Sequence, residues 1–143
     1  MRRILAAVLT TTLAIAACGG NGGAGADTTH TVVLSDILFE PAEITVPAGA
    51  AIALDLQNEG VLEHQWVVLE AGTEVTSEDD LPDDAEILAW ESTYWGEELL
   101  GGQNAGHTFT APAAGSYQIV CSMPGHFTAG MVGTLTVIEP DTG

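Results

Sequence analysis

The segment CSMPGHFTAGM (121–131) carries a cysteine, a histidine and a methionine at intervals of five residues. Sequences typical of β-strands flank it, SYQIV (116–120) before it and VGTLTVI (132–138) after it, each with alternating apolar residues. Pro124 and Gly125 are turn-forming residues in the middle of the segment. The pattern predicts a loop between two strands that brings three sulfur and nitrogen donors to one end of a sheet.

The chain upstream of this loop repeats the period-two pattern of β-strands. Ile52, Leu54 and Leu56 alternate with less apolar neighbours, and turns that contain Pro or Gly separate this segment from similar ones. No long amphipathic helix pattern appears. The sequence therefore predicts an all-β protein, an antiparallel Greek-key β-sandwich over residues 32–139 with a short tail at 140–143.

Residues 71–100 interrupt the strand rhythm. The segment contains the acidic clusters EDD and DDAE and the aromatic residues Trp90, Tyr94 and Trp95. It is predicted to be a partly helical connection. Its aromatic residues either cover the open side of the sandwich or, together with the acidic residues, form a docking surface for a basic partner.

The N-terminus has the features of an export signal. Two arginines precede the apolar run ILAAVLTTTLAIA (4–16), which is too short to span a bilayer. The run ends in IAAC (15–18), which resembles a lipoprotein cleavage site, so residues 1–17 are predicted to be a signal peptide and Cys18 to carry lipid. The Gly-rich residues after Cys18, up to residue 31, are predicted to be a flexible tether. The protein is then lipid-anchored on the extracytoplasmic face of the membrane, periplasmic or at the cell surface; the alternative is ordinary signal-peptide cleavage without lipid.

The charge of the chain is strongly negative. The formal net charge is −18, from 20 acidic and 2 basic residues. The basic residues are Arg2 and Arg3, so removal of the signal peptide leaves a formal charge of −20. Such a surface repels phosphate groups, which argues against nucleic acid as a partner. A basic protein partner and a high-salt habitat both remain compatible with this acidity.

Cysteine usage narrows the chemistry of the loop. Cys18 and Cys121 are the two cysteines, and lipidation of the first leaves no disulfide. Cys121 is then a reactive thiol, an inert buried thiol or a metal ligand. A thiolate, an imidazole and a thioether form a donor set that prefers copper, and a blue-copper site adds a second histidine. His64, at the start of a predicted strand, is the candidate for that histidine.

With these residues the chain resembles the cupredoxins, the small blue copper proteins. The loop is most similar to that of the azurin, auracyanin and sulfocyanin branches, where four residues separate the cysteine from the histidine. The resemblance extends to the segment EPAEITVPAGAAIALDLQNEGVLEHQW (40–66) and implies a cupredoxin-like sandwich that binds one copper ion. It also implies that His64, Cys121 and His126 are equatorial ligands and that Met131 is the axial ligand.

The resemblance extends to the surroundings of the metal. The family commonly has an asparagine after the first histidine, which ties the ligand loops together, and here Gln65 is expected to reach Ser122 instead. Electrons are expected to pass through the edge of His126. The apolar rim around it is expected to consist of Met123, Pro124, Phe127 and Ala129.

The function implied is that of a monomeric electron carrier, not an enzyme. Its partners would be redox proteins such as cytochromes or a membrane oxidoreductase complex. The sequence suggests no open coordination position and no nucleophile with a base partner, and the chain is short for a copper enzyme. Two alternatives stay open, an extracytoplasmic copper-binding or copper-delivery protein and a purely structural sandwich.

Overall fold

The computed structural model describes residues 28–81 and 96–140, which form two β-sheets. The strands in chain order are β1 (Thr28–Ser35), β2 (Leu38–Glu40), β3 (Glu43–Pro47), β4 (Ala51–Asn58), β5 (His64–Val68), β6 (Gly96–Leu99), β7 (Asn104–Thr110), β8 (Gly115–Val120) and β9 (Val132–Ile138). One sheet has the order β2-β1-β4-β7 and the other has the order β3-β9-β8-β5-β6. The predicted all-β sandwich is confirmed.

Two strand pairs depart from the antiparallel arrangement predicted. β1 runs parallel to β4, and β3 runs parallel to β9, whereas the other paired strands are antiparallel. The antiparallel pairing predicted for the sandwich therefore does not hold for these two pairs. Parallel pairs need long connections, and here the partners are far apart in the chain, so no hairpin signal in the sequence reveals them.

The core lies between the two sheets because alternate residues of each strand face inward. Val32, Leu34, Ile52, Leu54 and Leu56 contribute from the first sheet, and they belong to the same buried cluster as Ile44, Trp66, Ile119, Leu135 and Val137 of the second sheet. Among the described residues, no helix has the length and apolar character needed to cross a membrane.

The first strand begins earlier than the predicted domain boundary. Thr28–Thr31 pair in parallel with Ile52–Asp55, so β1 includes four residues that the sequence analysis assigned to the tether. Pairing with β4 supplies the backbone hydrogen bonds that the local sequence gave no reason to expect. The predicted signal peptide, Cys18 and the Gly-rich residues up to 27 lie outside the described residues.

The acidic connection is only partly described. Its helical content within the described residues is a short 3-10 helix, Glu78–Asp80. Gly96–Leu99, predicted as connection, instead forms strand β6 and pairs with β5 at the edge of the five-stranded sheet. Residues 82–95, which include the three aromatic residues predicted to cover the sandwich or to dock a partner, lie outside the described residues.

Candidate metal centre

The segment 121–131 is a loop that joins β8 to β9, as predicted. Backbone hydrogen bonds close it, because Cys121 N–H donates to the Met131 carbonyl (3.2 Å) and Met131 N–H donates to the His126 carbonyl (3.0 Å). Gly125 and Gly130 have φ angles of 84° and 99°, a region that side chains other than glycine rarely adopt. The five-residue spacing thus folds into a compact loop that holds its cysteine, histidine and methionine close together.

His64 reaches this loop through strand pairing. It is the first residue of β5, which runs antiparallel to β8 with Val67 opposite Val120. Because β8 continues into Cys121 while β5 runs the other way, His64 lies beside the start of the loop. The structure therefore places His64 at the start of a strand beside the ligand loop, as the sequence predicted.

The donor atoms of three residues converge. The Nδ1 atoms of His64 and His126 are 3.2 Å apart, and the Cys121 Sγ lies 3.3 Å from His126 Nδ1. The ligand atoms of these three residues all lie within 4.8 Å of one another. No other group of three or more His, Cys, Asp or Glu side chains in residues 28–81 and 96–140 has the arrangement of a metal site.

These residues fit a copper ion. Two imidazole nitrogens and one sulfur face the same point, and the fully buried Met131 belongs to the same core cluster as Cys121. Two histidines and a cysteine with a weak axial methionine are the donor set of blue-copper sites. The position of Met131 agrees with its predicted axial role, which stays a prediction.

Burial sets the protonation of the two buried donors. It lowers the pKa of His64, which keeps the imidazole in the neutral form that binds metals. It raises the pKa of the Cys121 thiol, an effect that the backbone N–H of Gln65, 3.3 Å from the sulfur, partly opposes. Metal binding at Cys121 therefore releases a proton, and the Gln65 N–H favours the resulting thiolate.

Gln65 also links its strand to the ligand loop through its side chain. The Ser122 hydroxyl donates a hydrogen bond to the Gln65 side-chain carbonyl, so the two residues expected to meet are in contact. The amide nitrogen of the same side chain donates to the Glu98 carboxylate of β6 at 3.3 Å. Gln65 thereby connects the ligand loop, β5 and the edge strand.

The residues of the predicted apolar rim differ in exposure. Pro124 and Ala129 are exposed at the end of the sandwich, on either side of the half-buried His126. Met123 and Phe127 are also half-buried, and each packs against a buried cluster. Two of the four rim residues thus contribute to the interior as well as to the surface.

Two carboxylates that the sequence analysis did not single out also contact the site. Asp36, in the turn between β1 and β2, has its Oδ1 atom 3.3 Å from His64 Nε2. Glu78 accepts hydrogen bonds from the backbone N–H groups of Gly125 and Thr128 and from the Thr128 hydroxyl (2.6 Å), on both sides of His126. These contacts connect residues 28 and 47–50 positions apart, so no local spacing signals them.

A two-sheet sandwich that brings together a cysteine and a histidine from one loop and a histidine from a neighbouring strand defines a cupredoxin. Residues 15–141 match the family model described as the sulfocyanin (SoxE) domain. The chain therefore belongs to the sulfocyanin family of cupredoxins, and the predicted cofactor, one copper ion, is confirmed.

Individual proteins show the same relationship. Auracyanin-B of Chloroflexus aurantiacus is 33% identical over 154 residues, which cover 92% of this chain and 63% of that protein. The present chain thus spans less than two thirds of that relative. The copper-resistant cuproprotein CopI of Rubrivivax gelatinosus is 32% identical over 116 residues, 80% of this chain and 68% of CopI. The crystal structure of dithionite-reduced auracyanin from Roseiflexus castenholzii superposes with a TM-score of 0.64 at 28% identity, covering 80% of this chain and 99% of that one.

Proposed function

We propose that the protein is an electron carrier that shuttles single electrons between redox partners and is not an enzyme. The observation that carries the proposal is the difference in burial among the four predicted ligands. His64, Cys121 and Met131 are fully buried, whereas His126 is half-buried at the end of the sandwich. A metal held by these residues is shielded from substrates, yet only one imidazole ring separates it from the surface.

The copper ion, when bound, supplies one-electron chemistry by alternating between Cu(I) and Cu(II). The protein's contribution is to hold the donors in one arrangement. The Gln65 N–H bond to the Cys121 sulfur and the bonds that close the loop keep Cys121, His126 and Met131 in place. A donor set fixed in this way limits the rearrangement that accompanies a change of charge, which favours fast transfer.

The surface around His126 supports brief encounters with a redox protein. Pro124 and Ala129 expose apolar area in the same loop as His126, two and three residues from it, and the chain as a whole carries a large negative charge. An apolar contact surrounded by acidic residues favours oriented docking of a basic partner, such as a cytochrome or a membrane oxidoreductase complex. If this charge drives docking, the transfer rate to a basic cytochrome falls steeply as salt rises. A rate independent of salt would remove the electrostatic part of the proposal and favour the high-salt explanation of the acidity.

A location at the outer face of a membrane belongs to the same proposal. Its support is the sequence pattern of residues 1–18, a basic start, an apolar run and a small-residue site before Cys18. Expression of the full-length chain followed by detergent phase separation tests it. The wild type is expected in the detergent phase, and a Cys18→Ser variant is expected in the aqueous phase or uncleaved. A wild type recovered in the aqueous phase would refute the lipid anchor.

The electron-carrier role is tested first by absorption spectroscopy of the copper-loaded protein before and after ascorbate. An intense blue colour from thiolate-to-copper charge transfer that bleaches on reduction is the expected result. The rate of electron exchange is then compared between Ala129→Glu, beside His126, and Ala114→Glu, an exposed alanine before β8 at the opposite end of that strand. The first variant is expected to slow exchange without changing the potential, and the second is expected to match the wild type. Equal rates would refute exit through His126.

Copper handling is the second candidate function, and the relationship to a copper-resistance cuproprotein favours it. It differs from the first proposal in what leaves the site, an ion instead of an electron. Competition with a Cu(I) chelator and with a copper-binding acceptor protein separates the two. Retention of copper through repeated reduction and oxidation supports the carrier, whereas rapid loss of Cu(I) to the acceptor supports delivery.

A further inference from the structure

The contacts of Asp36 distinguish it from the other acidic residues near the site. Its carboxylate accepts hydrogen bonds from the backbone N–H groups of Val61 (3.0 Å) and Leu62 (3.1 Å), and the same Oδ1 atom lies 3.3 Å from His64 Nε2. The loop that leads into β5 therefore wraps around this carboxylate. Asp36 itself lies in the turn between β1 and β2, in the other sheet.

Gly60 shows that the site for this carboxylate is built into the loop. A Cβ atom on Gly60 would overlap the Oδ1 atom of Asp36, so a residue with a side chain there would displace the carboxylate. The glycine has a φ outside the left-handed region, and its backbone conformation therefore does not by itself require glycine. The requirement comes from the space that the Asp36 carboxylate occupies.

The geometry determines which ring nitrogen of His64 carries the imidazole proton. A carboxylate only accepts hydrogen bonds, so the contact with Asp36 places the imidazole proton on Nε2. The Nδ1 atom then carries a lone pair, and this is the atom that faces His126 Nδ1 at 3.2 Å within the metal site. A carboxylate on the far nitrogen of a ligating histidine fixes both the tautomer and the ring orientation and increases the basicity of the ligand.

We propose that Asp36 is a positioning residue of the copper site, which holds His64 in the Nε2–H tautomer and favours Cu(II) over Cu(I) through its negative charge. Copper bound to one thiolate carries a net charge of +1 as Cu(II) and none as Cu(I). A nearby negative charge therefore stabilises the oxidised form more than the reduced form. The proposal depends on copper binding, which is shown, and holds whether the protein carries electrons or handles copper.

The carboxylate is in the ionised form that this role needs. The backbone N–H groups of Val61 and Leu62 donate to this carboxylate, and hydrogen bonds of this kind favour the charged form. The side chain is only about a third exposed, at 34%, while His64 is fully buried. Water therefore reaches only part of the contact, and screening of the charge is incomplete.

Reduction potentials of three copper-loaded variants test the proposal. Asp36→Asn keeps an acceptor oxygen but removes the charge, Asp36→Ala removes both, and Asp55→Asn removes a charge from the outward face of β4 as the matched control. We expect Asp36→Asn to lower the affinity for Cu(II) relative to Cu(I) about tenfold, which raises the potential by about 59 mV. Its Cu(II) electron paramagnetic resonance spectrum is expected to stay close to that of the wild type. Asp36→Ala is expected to alter that spectrum as well. A potential for Asp36→Asn equal to that of Asp55→Asn would overturn the role of the charge.

The tautomer of His64 can be measured in the wild-type protein without copper. Long-range ¹H–¹⁵N correlation spectra of the metal-free wild-type protein report which ring nitrogen of His64 carries the proton. We expect an Nε2–H signal that exchanges slowly with water and is lost in Asp36→Ala. Protonation at Nδ1, or an Nε2–H that exchanges as fast as in a free peptide, would overturn the positioning role even if Asp36→Ala failed to fold.

Discussion

Replacement of Asn58 by aspartate should lower the free energy of unfolding substantially, because this buried amide joins three parts of the structure near the metal centre. Its side-chain nitrogen donates to the carbonyls of Leu62 and Leu99, both at 2.9 Å, and its side-chain oxygen accepts from Gly60 N–H at 3.0 Å. The side chain is almost completely buried, at 1% exposure. It thus fastens the loop before His64 to the end of β6.

The magnitude follows from the two bonds that the Asn58 side chain donates. Aspartate has almost the same shape but cannot donate, so two carbonyls lose their donor and then face a carboxylate. At roughly 1 kcal/mol for each bond, with an added penalty for buried groups left unpaired, we expect a loss of about 3 kcal/mol or more in the free energy of unfolding. Protonation of the aspartate restores one donor, so the loss should be smaller at acidic pH.

Urea denaturation of the metal-free and copper-loaded proteins measures this loss. Asn104→Asp is the matched control, since Asn104 is exposed at the start of β7 and a surface change of this kind costs within about 0.5 kcal/mol. Copper should also stabilise Asn58→Asp less than it stabilises the wild type, because the loosened loop leads directly into His64. A loss below about 1 kcal/mol would refute the reasoning, since it would mean that water replaces the two lost bonds at little cost.

Three further predictions follow from single contacts. Glu78→Ala should speed the loss of copper to a chelator, because the Glu78 carboxylate binds the loop on both sides of His126. Asp79→Ala, in the same 3-10 helix, is the control. Equal rates of copper loss in the two variants would contradict this role of Glu78. Burial holds the folded-state pKa of His64 below its ordinary value of 6.5, so the unfolded chain binds a proton at His64 more readily than the folded protein does. The metal-free protein should therefore lose stability as pH falls from about 7 to 5. Urea titrations at each pH measure this loss. Gly133→Ala should lower the free energy of unfolding, measured by heat or urea, by about 1–3 kcal/mol, because its Cβ would lie 2.5 Å from a backbone carbonyl oxygen. Gly106→Ala is the control and should lower it less, since the nearest contact of its Cβ is at 3.9 Å.

The ligand loop was predictable because its information is local. Cys121, His126 and Met131 occur within eleven residues, between two segments with strand periodicity, so their convergence needs only one turn. His64 was a candidate because it starts a predicted strand, and its assignment as an equatorial ligand came from the resemblance to a known family. The sheet then shows the reason for its position, which is the antiparallel pairing of β5 with β8.

Other features were not predictable because their determinants lie far away in the chain. Thr28–Thr31 were predicted to belong to the tether, because threonine and histidine near glycines give no sign of a buried strand. Their pairing with β4 makes them part of β1. The segment Gly96–Leu99, with two glutamates in four residues, read as acidic connection, although an edge strand tolerates charge on its open side. Asp36 and Glu78 are two of twenty acidic residues, and composition alone cannot separate two that hold the site from eighteen that need not.

The two proposals give the acidic residues different roles, and salt should distinguish them. Electrostatic attraction between the acidic surface and a partner acts across solvent, and at physiological ionic strength it is screened within a Debye length of about 8 Å. The Asp36 carboxylate lies 3.3 Å from a fully buried imidazole, well inside that length. The potential difference between the wild type and Asp36→Asn should therefore persist in concentrated salt, while the rate of transfer to a basic partner falls. If both fell together, the effect of Asp36 would be one of general surface charge, and the carboxylate would have no special place beside His64.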